Sequence, residues 1–330
     1  MESLPEMFEQ LDAPGDGDAT RYSAVPVPHA QGWHVARDSR GAPAILVALE
    51  NNAPVSRAVP VRLRHFAVQH DVPCTIQSPH GATKRGRFTI LSCLADDPDL
   101  YQYFLHVLSA VIAALGPSPS RAGLDAALGH LITLFHALTQ PRQETTRGLW
   151  AELLCIAQSP DPVTVVGAWH EAFNDRYDFN AGGLRVEVKS AAGRQRRHEF
   201  SLEQLTPPKG TTLAIASLLI ESSGGGTSIG ELVSEIRQQL GSHADLVQRV
   251  DSVVATLMGS DWQDALTARF DRELALQTMA FYRAEDVPQE HCEVPASVTG
   301  LRFTADLADC QPVARSALRE AGGLFAAISR

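Results

Sequence analysis

Between Gly32 and Cys93 apolar and polar positions alternate in short runs. These are HVARD, then APAILVALE after the turn Ser39-Arg40-Gly41, then RAVPVRLRHFAV and RGRFTILSCL. Such two-residue alternation, bounded by turn residues, predicts strands. At Pro98 the period changes. In PDLYQYFLHVLSAVIAAL the stripe Leu105, Leu108, Ile112 and Leu115 recurs at helical spacing, and Gly116-Pro117 ends it. A second helix is expected from near Ser120 past Leu138, until Pro141 interrupts it. The acidic stretch LDAPGDGDAT (11–20) reads as a loop. Residues 1–140 therefore predict one α/β domain, with no constellation in it that suggests chemistry.

Beyond that point TRGLWAELLCIAQ (146–158) is helical, and DPVTVVGAWHEAF (161–173) contains a β-branched strand. DRYDFNAGGLRVEVKSA (175–191) reads as a hairpin turning at Asn180-Ala181-Gly182-Gly183. SLEQL (201–205) opens a short helix on the capping pair Ser201 and Gln204. TTLAIASLLIES (211–222) is a long apolar strand closed by the turn Ser222-Ser223-Gly224-Gly225-Gly226, and Ser228 with Glu231 caps the next helix. Residues 243–330 predict two helices and then the strand-like LQTMAFYRA and SVTGLRFTADL. The expected layout is an N-terminal α/β domain (1–140), a core (141–242) and a mostly helical C-terminal region ending in strands (243–330).

Composition removes several function classes. No run approaches the ~18 apolar residues of a membrane span, and the acidic start lacks the layout of a signal peptide, so a cytoplasmic protein is expected. Five cysteines (Cys74, Cys93, Cys155, Cys292, Cys310) without a CxxC pair argue against a disulfide framework or zinc ribbon. His291-Cys292 has no second pair at zinc spacing and reads as structural. The SSGGGTS segment lacks the Gly-Lys-Ser/Thr ending of a phosphate loop. A net charge of −10 restricts any nucleic-acid contact to a local patch. Of 28 basic residues 25 are arginine, and lysine occurs only at positions 84, 189 and 209. A retained lysine hints that a compact ammonium is wanted there.

The candidate chemistry lies in the 175–191 hairpin. Strand alternation projects Glu187 and Lys189 to one side, with Val186 and Val188 on the other. If the hairpin turns symmetrically about Ala181-Gly182, Asp178 sits opposite Arg185 and on the face of Glu187; a turn one residue longer breaks that parity. Asp178, Glu187 and the Val188 carbonyl can hold Mg²⁺, with Mn²⁺ as a substitute. Lys189 can orient a metal-bound water or stabilise phosphoryl charge. Glu152, at the edge of the stripe Leu149, Leu153 and Ile156, faces partly inward and can complete the set. Arg185, Arg194, Arg196, Arg197 and His198 form an adjoining basic run for DNA phosphates, or a solubilising loop. Ser201 and Gln204 point at DNA or serve only as caps.

These residues resemble the PD-(D/E)XK nuclease superfamily: Glu152 on a helix, Asp178 on the second strand, and Glu187-Val188-Lys189 on the third. The element order over about 146–240 is similar to that family's restriction-endonuclease-like αβββαβ core. The succession EVKS, RRHEFSLEQL, long strand and Gly-rich turn resembles the PD-(D/E)XK motif proteins of bacterial phage-defence clusters. That resemblance implies Mg²⁺-dependent DNA cleavage in a multi-protein restriction system beside a helicase-like ATPase and a DNA methyltransferase. Tyr177 stands where the family motif has proline. Self-association stays open. The competing expectation is a scaffold subunit that uses a nuclease-like fold to bind DNA or a partner without cutting.

Overall fold

The computed structural model describes residues 3–14, 18, 20–48, 60–79, 81–140, 145–170, 175–289 and 301–329. His291 and Cys292 lie outside them. Two compact units are present, Met1–Gln140 and Pro141–Arg330. Among the described residues no helix is long and apolar enough to cross a membrane.

The first unit starts with α1 (Leu4–Glu9), where Ser3 and Glu6 form a reciprocal capping box. Six strands follow: β1 (Arg21–Val27), β2 (Ala30–Arg37), β3 (Pro43–Val47), β4 (Val61–Arg62), β5 (Phe66–Gln77) and β6 (Thr83–Cys93). Their order is β1-β2-β3-β6-β5-β4, and β1 also pairs with β5 in parallel. Five strands thereby close into a ring around Tyr22, Leu46, Cys74, Ile76, Phe88 and Ile90. Closure leaves the ring without open edges. Helix α2 (Pro98–Leu115) has the predicted bounds, because the Asp97 cap starts it and Gly116, at φ 73°, stops it. Helix α3 (Arg121–Ala137) ends one residue before Leu138.

The second unit begins with α4 (Thr146–Ala157) and α5 (Pro162–Ala168). The β-branched run predicted as a strand is this second helix. Asp161 accepts from the Thr164 amide and its hydroxyl, and Pro162 occupies the first turn, so capping outweighs β propensity. Strands β7 (Phe179–Ala181), β8 (Leu184–Ala191), β9 (Arg197–Ser201), β10 (Thr212–Leu219) and β11 (Ser222–Ser228) follow. Next come α6 (Ile229–Leu240), α7 (Ala244–Met258), α8 (Trp262–Thr267), β12 (Arg269–Phe270), α9 (Arg272–Thr278) and β13 (Ala280–Arg283). The unit ends with β14 (Arg302–Asp306), α10 (Arg315–Ala321) and α11 (Gly323–Ile328).

The central sheet is ordered β13-β10-β8-β7. Strand β10 runs parallel to β8 and antiparallel to β13. Its apolar run suits a strand covered on both faces. The SSGGGTS segment is strand β11 rather than a turn, paired with β12. A Cβ on Gly226 would overlap the backbone of Phe270, so glycine permits the close approach. SLEQL does not propagate into a helix. Ser201 and Gln204 exchange the expected capping hydrogen bonds at 3.1 Å, but Pro207 and Pro208 follow at once and the chain stays in turns.

Candidate active site

The site is built where β7 begins. The hairpin turns at Gly182-Gly183, with Gly182 at φ 55°, and its register is Ala181↔Leu184, Asn180↔Arg185, Phe179↔Val186. One further step sets Asp178 opposite Glu187. The expected centre at Ala181-Gly182 is therefore displaced by one residue, so the partner of Asp178 changes by two from Arg185. An even change preserves parity, and Asp178 remains on the face of Glu187. The Val188 amide donates to Asp178 Oδ2 at 2.6 Å, just before the start of β7. On a strand the carbonyl of the same residue points the same way, so the Val188 oxygen is aimed at that space too.

Helix α4 supplies Glu152, which is only 3% exposed. Its Oε2 accepts from Trp169 Nε1 at 2.7 Å and lies 3.2 Å from His170 Nε2. Trp169 bridges to Phe179, and the His170 amide donates to the Asp178 carbonyl at 2.8 Å, so the segment after α5 is stitched onto the start of β7. On β8, Glu187 is equally buried, and its Oε1 meets Lys189 Nζ at 2.8 Å and Gln204 Nε2 at 2.6 Å. Lys189 Nζ also donates to Gln204 Oε1 at 3.3 Å and sits 5.3 Å from the Phe200 ring centre. Gln204 thus clamps the carboxylate and the ammonium together.

Burial drives the electrostatics. Asp178 is pushed up to about 8, first by desolvation and then by the charge of Glu152, against the pull of the Val188 amide, Lys189 and His170. His198 is pushed down to about 4 by burial and by the charges of Lys189 and Arg196. Its Nε2 lies 2.7 Å from Ser217 Oγ, so this imidazole is neutral near pH 7 and engaged inside the fold.

These groups line one cleft of about 600 Å³, which includes Glu152, His170, Asp178, Glu187, Lys189 and Gln204. The basic run is divided by strand alternation. Arg197 points outward at the cleft mouth, 3.1 Å from Asp306, whereas Arg196 turns in and donates to Ser217 and to the Thr278 carbonyl. Arg185 folds back on its own turn, onto the Gly182 and Leu184 carbonyls, and Arg194 is exposed in the loop before β9. Ser201 serves as the cap partner of Gln204.

Sequence reasoning passed over His170, Arg176 and Arg302, which also line the cleft. Arg302 arrives on β14, pairing with β9, where it meets Glu199 at 2.7 Å. Nothing local in the sequence announces a pairing across about a hundred residues. For His170 the signal was available: a histidine at the end of the apolar run VTVVGAW.

One ligand atom from each of Glu152, His170 and Asp178 lies within 4.8 Å of the others. A buried and a half-buried carboxylate that disfavour each other's ionisation are the surroundings a divalent cation relieves, so the donor set fits a metal. The described cysteines Cys74, Cys93, Cys155 and Cys310 are all free thiols.

Residues 4–308 match the profile of the DUF4420 family, described as "Putative PD-(D/E)XK family member". No curated protein and no solved structure matches the chain.

Proposed function

The chain belongs to the DUF4420 family of PD-(D/E)XK-related proteins, and from its cleft we propose that it is a metal-dependent DNA endonuclease subunit. The observation that carries this reading is the convergence of Glu152, Asp178, Glu187 and Lys189 in one cleft. Asp178, Glu152, Glu187 and the Val188 carbonyl would hold the cation. Bound Mg²⁺, or Mn²⁺ in its place, supplies an acidified water and neutralises charge on the phosphoryl oxygens. Lys189, clamped by Glu187 and Gln204, presents its ammonium to the attacking water or the developing charge. His198 is poorly suited to act as a general base, because burial and neighbouring cations lower its affinity for a proton and its Nε2 is engaged by Ser217 Oγ.

The resemblance of EVKS and RRHEFSLEQL to phage-defence proteins supports a place in a cytoplasmic restriction-like system with a helicase-like ATPase and a DNA methyltransferase. A net charge of −10 supports targeting by such partners rather than by the chain's own surface. Purified protein, alone and with those partners, is incubated with plasmid and Mg²⁺ or Mn²⁺. Nicking or linearisation that stops with chelator is expected. Intact plasmid in the complete system, with DNA still bound, supports the scaffold reading instead.

Placement of the arginines refines the DNA contact. Arg194 and Arg197 are free to reach phosphate, since the exposed pair with Asp306 contributes little, whereas Arg196 anchors the fold. Replacing Arg194 and Arg197 together by alanine should flatten the salt dependence of DNA binding by up to ~0.9 in log–log slope per lost contact. An unchanged slope in filter binding would put the DNA on another surface.

A further inference from the structure

His170 is a cleft residue that the E-x-K signature leaves unused. Its side chain is 8% exposed, and its position is fixed by backbone on two sides. The His170 amide is held by the Asp178 carbonyl, and the preceding Trp169 is bridged to Phe179. Trp169 Nε1 also holds the same Glu152 oxygen that faces His170 Nε2 at 3.2 Å. The ring is therefore aimed at a carboxylate whose own orientation is fixed.

The spacing is informative. Ligand atoms 2.0–2.2 Å from one ion lie about 3 Å apart when adjacent and about 4.3 Å apart when opposite. The 3.2 Å pair and the 4.8 Å limit on the whole Glu152–His170–Asp178 set fall near those separations. Resting on the metal-dependent reading above, we propose that His170 is a nitrogen ligand to the cation held by Glu152 and Asp178. The centre then favours a transition metal such as Mn²⁺ over Mg²⁺ more strongly than carboxylates alone would. Mg²⁺ is bound through oxygen and keeps its waters, while imidazole suits first-row transition metals.

The test reads the ligand directly, without activity. Full-length protein is loaded with Mn²⁺ and examined by electron spin-echo envelope modulation, beside His170→Gln, in which the amide can still meet Glu152. Wild type should show nitrogen modulation, and His170→Gln should lose it. By calorimetry the variant should lose Mn²⁺ affinity by at least the ~10–100-fold that removing an outer-shell partner costs, with a smaller loss for Mg²⁺. Mn²⁺ bound without nitrogen modulation, or modulation that survives in His170→Gln, overturns the ligand assignment while leaving a metal centre standing. No Mn²⁺ binding in wild type overturns both this assignment and the metal-dependent function.

Discussion

Lys189→Ala is expected to slow DNA cleavage by roughly 10²–10³-fold, the cost of removing one preorganised electrostatic group from a reaction centre. The Lys189 side chain is only 18% exposed and lies against Glu187, so it is placed to act at the bottom of the cleft rather than to collect DNA at the mouth. DNA affinity should therefore change little. The same geometry gives Lys189 a second role. Its removal leaves the Glu187 carboxylate, 4% exposed, without its counter-charge, and breaking a buried pair costs up to about 3–5 kcal/mol. Rates must accordingly be compared at a temperature where circular dichroism shows both proteins folded. Lys189→Arg should rescue poorly, because a planar fork cannot occupy the place of an ammonium held 2.8 Å from Glu187. Wild-type rates from folded Lys189→Ala would remove this residue from the chemistry.

A comparably large effect is expected on stability in the absence of metal. The folded-state value of Asp178, about 8, lies above its ordinary 3.8. Between those limits the folded protein keeps a proton that the unfolded chain releases. The resulting stability is present at low pH and lost as pH rises through about 8. His198 works the other way. Its folded value of about 4 is below the ordinary 6.5, so its contribution is lost as pH falls through that range. The two oppose each other below pH 6.5, and the Asp178 effect continues from there to about 8. Across that window the protein in chelator should lose up to about 2 kcal/mol, at 1.4 kcal/mol per pH unit for one proton. Three of the four tryptophans, Trp150, Trp169 and Trp262, belong to the second unit, so fluorescence-monitored urea unfolding reports on it. Asp178→Asn, or added Mn²⁺, should flatten the curve. Equal losses in wild type and Asp178→Asn would show that burial of Asp178 is not their source.

Helices α2 and α6 and the hairpin were legible because their determinants are local. Asp97 and Gly116 bound α2 where the apolar period begins and ends, and Ser228 with Glu231 caps α6 as expected. Two-residue alternation placed Glu187 and Lys189 on one face, and it survived a displaced turn because the partner of Asp178 moved by an even number. The same alternation in RHEFS sends Arg197 and Glu199 outward and His198 and Phe200 inward. A basic run counted only by composition hides that division.

Tertiary structure decided the rest. VTVV carries β propensity, but the Asp161 cap and burial of Val165 and Val166 against the second unit make it helical. The glycine-rich segment becomes a strand only because Phe270, more than forty residues later, comes to lie beside it. Likewise Gln204 forms the local capping pair that its sequence predicts, yet its contact with Glu187 and Lys189 requires the turn after β9 to fold over β8. His170 meets Glu152 because α5 ends over α4 and the chain then bridges to β7. The sequence by itself determined which chemistry-bearing residues share a strand face, since side-chain direction follows from backbone periodicity. Which distant residues complete the site was decided by long-range pairing and burial, which no local pattern encodes.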